Sequence, residues 1–92
     1  MADQDKPIVV DGVKVNFTQA DLEDEHYWDI VQDVESNPGK MIKGLRYLMG
    51  DEAYDKLRDA LKDKSTGKTS LVSVANWFEK ACEKLGVDSK KL

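Results

Sequence analysis

Two stretches of the sequence approach known ligand-binding loops without completing either pattern. The tripeptide Gly-Lys-Thr at residues 67–69 matches the end of a phosphate-binding P-loop, but that motif needs a glycine where this chain has Lys62. Residues 63–74 have the length of a calcium loop, yet Lys68 replaces the required glycine and Val74 replaces the bidentate glutamate. Both stretches therefore indicate a glycine-containing loop followed by a helix cap.

The single histidine and the single cysteine lack the partners that catalysis or metal binding needs. His26 lies among acidic residues of a predicted helix, where an exposed imidazole beside a carboxylate is the favoured interpretation, and the chain has no second histidine to build a zinc site. Cys82 lies on an apolar stripe, which predicts a buried, inert thiol. The carboxylates of residues 21–33 predict a solvated face, since no spacing sets two of them across a pocket. We expect no catalytic, cofactor-binding or metal site and predict that the protein is not an enzyme.

Charge is distributed unevenly along the 92 residues, whose net charge is −4. Residues 1–37 contain ten acidic residues and two lysines, whereas residues 38–92 contain eight acidic and twelve basic residues. The overall acidity argues against binding to nucleic acid, because contacts to phosphates require a basic surface. The acidic part either folds over the basic part, or meets it head-to-tail in a homo-oligomer, or both parts are simply solvated.

Length and hydropathy predict one domain without a membrane anchor. No apolar run approaches the roughly 18 residues of a membrane span, and MADQDKP lacks the basic and apolar regions of a signal peptide. One cysteine excludes an internal disulfide and agrees with a reducing compartment. We therefore expect a cytoplasmic protein that binds neither membrane nor nucleic acid.

The sequence predicts a mainly α-helical fold, a small four-helix domain with a short N-terminal β-hairpin. The hairpin is predicted over 8–17, since two β-branched runs flank Asp11-Gly12. Helical periodicity and capping residues predict helices over about 19–35, 38–49, 52–64 and 70–85. The expected N-terminal helix caps are Thr18 with Asp21, Asn37 before Pro38, Asp51, and Thr69 or Ser70. Gly50 and Gly86 are expected to end helices. Residues 8–86 form the predicted domain, with a flexible tail over 1–7 and a frayed tail over 87–92.

The helices contain more large apolar side chains than a small four-helix core needs. Methionine and aromatic residues suit adaptable protein-binding surfaces, although packing in the core is the commoner use of each one. The predicted protein-binding residues are Trp28, Met41, Leu45, Tyr47, Met49 and Trp77.

Four segments carry a resemblance to a known family: IVVDGVKVNF, DEHYWDIVQDVESNP, KMIKGLRYLMGDEAYDKLRDAL and TSLVSVANWFEKACEKLG. In their order and character they resemble the tail assembly chaperones of long-tailed (siphovirus-type) bacteriophages. Similar proteins open with a short β-like segment and an acidic helix. An apolar helix follows and ends in a Leu-x-Gly-Asp/Glu-x-x-Tyr turn, matched here by residues 48–54, and the final helix is capped by Ser or Thr. The resemblance covers residues 6–86.

This resemblance implies a protein that binds and solubilises the tape measure protein and helps recruit tail tube subunits during tail assembly. It also implies a location in the host cytoplasm and absence from the mature virion. Such families often make a longer frameshifted product, and Lys90-Lys91 is compatible with a slippery codon pair. Two alternatives remain open, namely a structural head-tail connector or other virion component, and an acidic helical adaptor or DNA mimic.

Overall fold

The computed structural model describes residues 8–86, so the predicted tails over 1–7 and 87–92 lie outside the described residues. Over this range the chain is mainly helical with an N-terminal two-stranded antiparallel sheet, which confirms the predicted mainly α-helical class and the hairpin but not the count of four helices. The elements are β1 (Ile8–Val10), β2 (Val13–Val15), α1 (Gln19–Leu22), α2 (Glu25–Ile30), α3 (Gly39–Met49), α4 (Asp51–Ala60) and α5 (Leu71–Lys84).

The hairpin turns at Asp11 and Gly12, whose φ angles are 52° and 82°. Two successive residues with positive φ are characteristic of the two-residue turn that matches the twist of paired strands, which is why Asp-Gly predicts it. The register pairs Val10 with Val13 and Ile8 with Val15. The strands end at Val15, two residues before the predicted end of the hairpin.

The segment predicted as one helix over about 19–35 forms two short helices. Thr18 and Asp21 make a reciprocal capping box at the start of α1, as the sequence suggested. Helix α1 ends at Leu22. A new helix, α2, starts after Asp24, because the Asp24 carboxylate accepts the backbone N–H of His26. Residues 31–36 form turns in which Asp33 has a φ of 62°. Five helices therefore replace the predicted four in the described range.

Helices α3 and α4 meet at Gly50 without an intervening loop. Gly50 has φ 88° and ψ 156°, and its N–H donates to the carbonyl of Arg46. This extended backbone with positive φ is essentially limited to glycine, so the residue ends one helix and directs the next. Asp51, predicted as a cap, is instead the first residue of α4, and no side chain caps α3 at Asn37-Pro38.

Helix α4 ends at Ala60, four residues before the predicted end. Asp63 begins a closed turn, in which its N–H donates to the Lys68 carbonyl and its carboxylate accepts from the N–H and hydroxyl of Ser65. This local bonding competes with helix continuation. Helix α5 then starts after Ser70, whose hydroxyl accepts the N–H of Val72.

Trp77 of α5 lies at the centre of the core and connects it to the hairpin. Its side chain is fully buried, and its indole N–H donates to the Val10 carbonyl at 2.9 Å. The ring meets Phe17 edge-on, with 6.3 Å between centroids. A second hydrogen bond connects the end of the hairpin to α3, since the Asn16 amide donates to the Met49 carbonyl at 2.9 Å. The hairpin is therefore held by the helices, as a lone two-stranded sheet requires.

Helix α2 crosses α3 at Gly44. A Cβ at this position would lie 2.6 Å from Val31 Cγ1 and 3.1 Å from Tyr27 Cε1, so glycine permits the close approach. Tyr27 and Val31 are both buried at this crossing. Among residues 8–86, the helices are too short or too polar to cross a membrane.

Candidate protein-binding surface

The structure divides the six predicted binding residues between the core and the surface. Leu45, Met49 and Trp77 are buried, with exposed fractions of 1%, 6% and 0%. These side chains fill the core and have no free surface for a partner, so the structure corrects their assignment. Amphipathic spacing alone does not separate a surplus apolar residue from a core residue, because both lie on the same stripe.

The remaining three predicted residues retain surface. Trp28 is 37% exposed, Tyr47 is 44% exposed, and Met41 is half-buried against the core. Trp28 and Tyr47 lie on the neighbouring helices α2 and α3 but contact different side chains of α2. The Trp28 ring packs edge-on against Tyr27 at 5.8 Å, and the Tyr47 ring packs on His26 at 4.9 Å. Positions 26 and 28 differ by about 200° around a helix, so the two aromatic residues lie on different sides of α2.

Tyr47 fixes the start of α2 to α3. Its hydroxyl donates to the Asp24 carboxylate, the same group that caps α2. This hydrogen bond raises the pKa of Tyr47 and lowers the pKa of Asp24, because it stabilises the neutral phenol and the ionised carboxylate together. His26 contributes its ring face to this cluster and is exposed. The arrangement orients Tyr47 and accounts for its position at the surface.

Trp28 lies in an open groove of about 580 Å³ formed by α2 and the turns after it. We call it the Trp28 groove. Its apolar floor consists of Trp28, Val31 and Val34, and the charged residues that line it are all acidic: Glu25, Asp29, Asp33 and Glu35. Gln32 and Ser36 complete the lining. This surface combines an exposed aromatic ring with concentrated negative charge.

A second exposed apolar area, at the start of α5, was missed from the sequence. Leu71 is 37% exposed and Val72 is 67% exposed. Leu71 lines a groove of about 290 Å³ that also includes Arg46 and Arg58. Both guanidinium groups are paired with Asp55, at 3.5 and 3.1 Å. Leu71 and Val72 lie in the first turn of α5. This position was the sequence signal for their exposure, because the first turn of a helix often extends past the core.

Arg46 is fixed by further contacts around the same groove. Its guanidinium also bonds Asp51 at 3.2 Å and lies 4.6 Å from the centre of the Tyr54 ring. The basic groups of this groove are therefore already neutralised, in contrast to the acidic groups around Trp28.

The groups that suggested chemistry in the sequence lie apart in the structure. Cys82 is fully buried on α5, and burial raises the pKa of its thiol to about 11. Residues 63–68 form the closed turn described above, in which the Asp63 carboxylate is occupied by Ser65. Within residues 8–86, no group of three or more His, Cys, Asp or Glu side chains is placed to hold a metal ion.

Comparison with known proteins gives no relative. No family model, curated protein or solved structure matches the chain.

Proposed function

We propose that this protein is a tail assembly chaperone of a long-tailed bacteriophage. It binds and solubilises the tape measure protein, helps recruit tail tube subunits, acts in the host cytoplasm and is absent from the mature virion. The family resemblance of the sequence supplies this hypothesis. The partly exposed aromatic side chains of Trp28 on α2 and Tyr47 on α3 are the structural observation that supports it.

The physical argument concerns the exposed aromatic side chains. Trp28 and Tyr47 each keep more than a third of their surface in solvent, although a domain of this size gains stability from every apolar group it buries. Neighbouring contacts hold both rings in place, so little side-chain freedom is lost on binding. Rigid aromatic anchors are typical of protein-binding surfaces, and a long apolar helix is the kind of partner that they can cover.

Co-expression with a tape measure fragment from the same genome tests the proposal. The fragment should be insoluble alone and should elute with this chain when both are made together. If the fragment stays insoluble and this chain elutes alone, the proposal fails. The chain should also be absent from purified virions by mass spectrometry, and its presence there would favour a structural connector.

Variants locate the contact in the same assay. Trp28→Ala should reduce the amount of soluble fragment several-fold, because it removes the largest exposed apolar group of α2. Val72→Ala removes exposed apolar surface on α5 and serves as the control. Loss of binding with Val72→Ala alone would place the contact on α5 instead. Urea unfolding of both variants separates lost binding from lost folding.

An acidic adaptor or DNA mimic is the second candidate, and the four carboxylates of the Trp28 groove favour it. Such a protein would compete with DNA for a basic DNA-binding protein. This alternative would be supported over the chaperone if the chain displaced labelled DNA from such a DNA-binding protein. The assay is run at ionic strengths where a tape measure fragment does not bind this chain.

A further inference from the structure

The four carboxylates of the Trp28 groove have no cationic partner in the described part of the chain. The ion pairs there connect Arg46, Lys56, Arg58, Lys62 and Lys80 to acidic residues outside the groove. Neighbouring like charges with no counter-charge repel each other, and a cationic ligand relieves that repulsion. The groove is therefore electrostatically complementary to a basic partner.

The apolar floor of the groove also restricts which ligand can fill it. Trp28 presents a partly exposed indole whose position is fixed by Tyr27, and Val34 is half-buried beside the acidic rim. A simple cation would neutralise the rim and leave this floor in contact with water. The occupant must therefore carry apolar side chains flanked by positive charge. An amphipathic helix meets both requirements, since it places apolar residues in a stripe and Lys or Arg along its sides.

We infer that the Trp28 groove binds a basic amphipathic helix of a partner protein, with apolar side chains on Trp28 and Lys or Arg opposite the acidic rim. This inference rests on the proposed protein-binding function and names the chemical class of the partner. It does not depend on the partner being a tape measure protein.

Designed peptides test the inference directly. Two helical peptides of about 18 residues share one leucine stripe and differ only in carrying Lys or Glu beside it. Binding is followed by acrylamide quenching, because Trp28 is exposed and Trp77 is fully buried. The lysine peptide should protect the accessible tryptophan and the glutamate peptide should not. Equal binding of the two peptides would overturn the inference.

A charge-reversal pair locates the site. Asp29→Lys with Glu35→Lys reverses two rim charges, and Glu79→Lys with Glu83→Lys makes the same charge change on exposed positions of α5. The groove variant should bind the lysine peptide about tenfold more weakly, whereas the α5 variant should bind within about twofold of the original chain. Equal weakening by both variants would show a non-specific charge effect and overturn the inference.

The outcomes also separate this inference from the proposed function. If the tape measure fragment is solubilised equally by the original chain and by the groove variant, and the lysine peptide binds both proteins equally, the chaperone stands and the groove assignment fails. If the lysine peptide binds in the groove while no tape measure fragment is solubilised, the groove assignment stands and the phage function fails. Self-association of the chain that the groove variant abolishes, without any peptide binding, would assign the groove to a second copy and overturn the inference.

Discussion

The two tryptophans have the same side chain in opposite environments. Trp77→Phe removes the indole N–H from the Val10 carbonyl and leaves space in the core, so it should lower the free energy of unfolding by about 1–3 kcal/mol. Trp28→Phe is the matched control, and the expected change is within about 0.5 kcal/mol because the ring is partly exposed. Urea unfolding measures both variants. Equal loss in the two would contradict the placement of Trp77 against the hairpin.

Tyr27 and Cys82 are two buried groups whose ionisation should lower the stability of the fold at alkaline pH. Burial raises the pKa of Tyr27 from 10.0 to about 12 and that of Cys82 from 9.0 to about 11. A folded-state pKa above the unfolded value favours folding while the group is neutral. This contribution is complete below the unfolded-state pKa and is lost as the pH rises towards the folded-state pKa. The free energy of unfolding should therefore fall between about pH 9 and 12.

Tyr27→Phe isolates the tyrosine contribution. The variant keeps the ring at the α2–α3 crossing but has no phenol to ionise, so its stability should fall less steeply above about pH 10 than that of the original chain. Urea midpoints measured from about pH 8 to 12 provide the comparison. Parallel curves for the two proteins would show that Tyr27 does not titrate abnormally.

The hairpin turn and some of the helix caps could be predicted from residue types, whereas the burial of individual side chains could not. Asp11-Gly12 and the Thr18 cap depend on local backbone geometry, and both are found in the structure. Trp77 lies on a predicted apolar stripe and Trp28 lies at the edge of another, and only tertiary packing decides how far each side chain is buried. Trp77 is buried because the hairpin folds onto α5, a contact between residues 67 apart in sequence.

At the scale of elements, the break between α1 and α2 shows the limit of periodicity. Apolar spacing after Thr18 is compatible with one continuous helix, and the carboxylates of residues 21–33 were interpreted as its solvated face. Asp24 instead caps a new helix and accepts a second hydrogen bond from Tyr47 of α3. The capping contact to His26 is local, and Asp is a common N-cap residue, but the bond that holds Asp24 against α3 comes from a residue 23 positions away and has no local signal in the sequence.

The crossing of α2 over α3 predicts opposite effects for two glycines of the same helix. Gly44→Ala should destabilise the fold by about 1–3 kcal/mol, since the new Cβ would lie 2.6 Å from Val31 Cγ1. Gly39→Ala has open space around its Cβ and should be neutral or stabilising by up to about 1 kcal/mol. Thermal and urea unfolding check both signs. A stabilising Gly44→Ala would contradict the close approach of the two helices.

At the scale of the whole molecule, the ion pairs within residues 8–86 do little to neutralise the charge asymmetry between the two parts of the chain. Among residues 8–86, Lys80 with Asp11 at 3.4 Å is the one ion pair that connects the acidic first part to the basic remainder. Other ion pairs of the described range lie within α3, α4 and the residues just after them. Of the three interpretations of the charge pattern, extensive pairing within one molecule is therefore the one that residues 8–86 do not support.

Head-to-tail association and simple solvation remain, and ionic strength separates them. Lys64 and Lys68 are exposed in the closed turn before α5, where they can meet the acidic part of another copy. Head-to-tail association predicts a sedimentation coefficient that rises with concentration at roughly 20 mM salt and is constant at roughly 300 mM, because salt screens exposed charges. Lys64→Glu with Lys68→Glu should abolish the rise. A coefficient independent of concentration at both salt levels would instead mean that the two charged parts are solvated faces of a monomer.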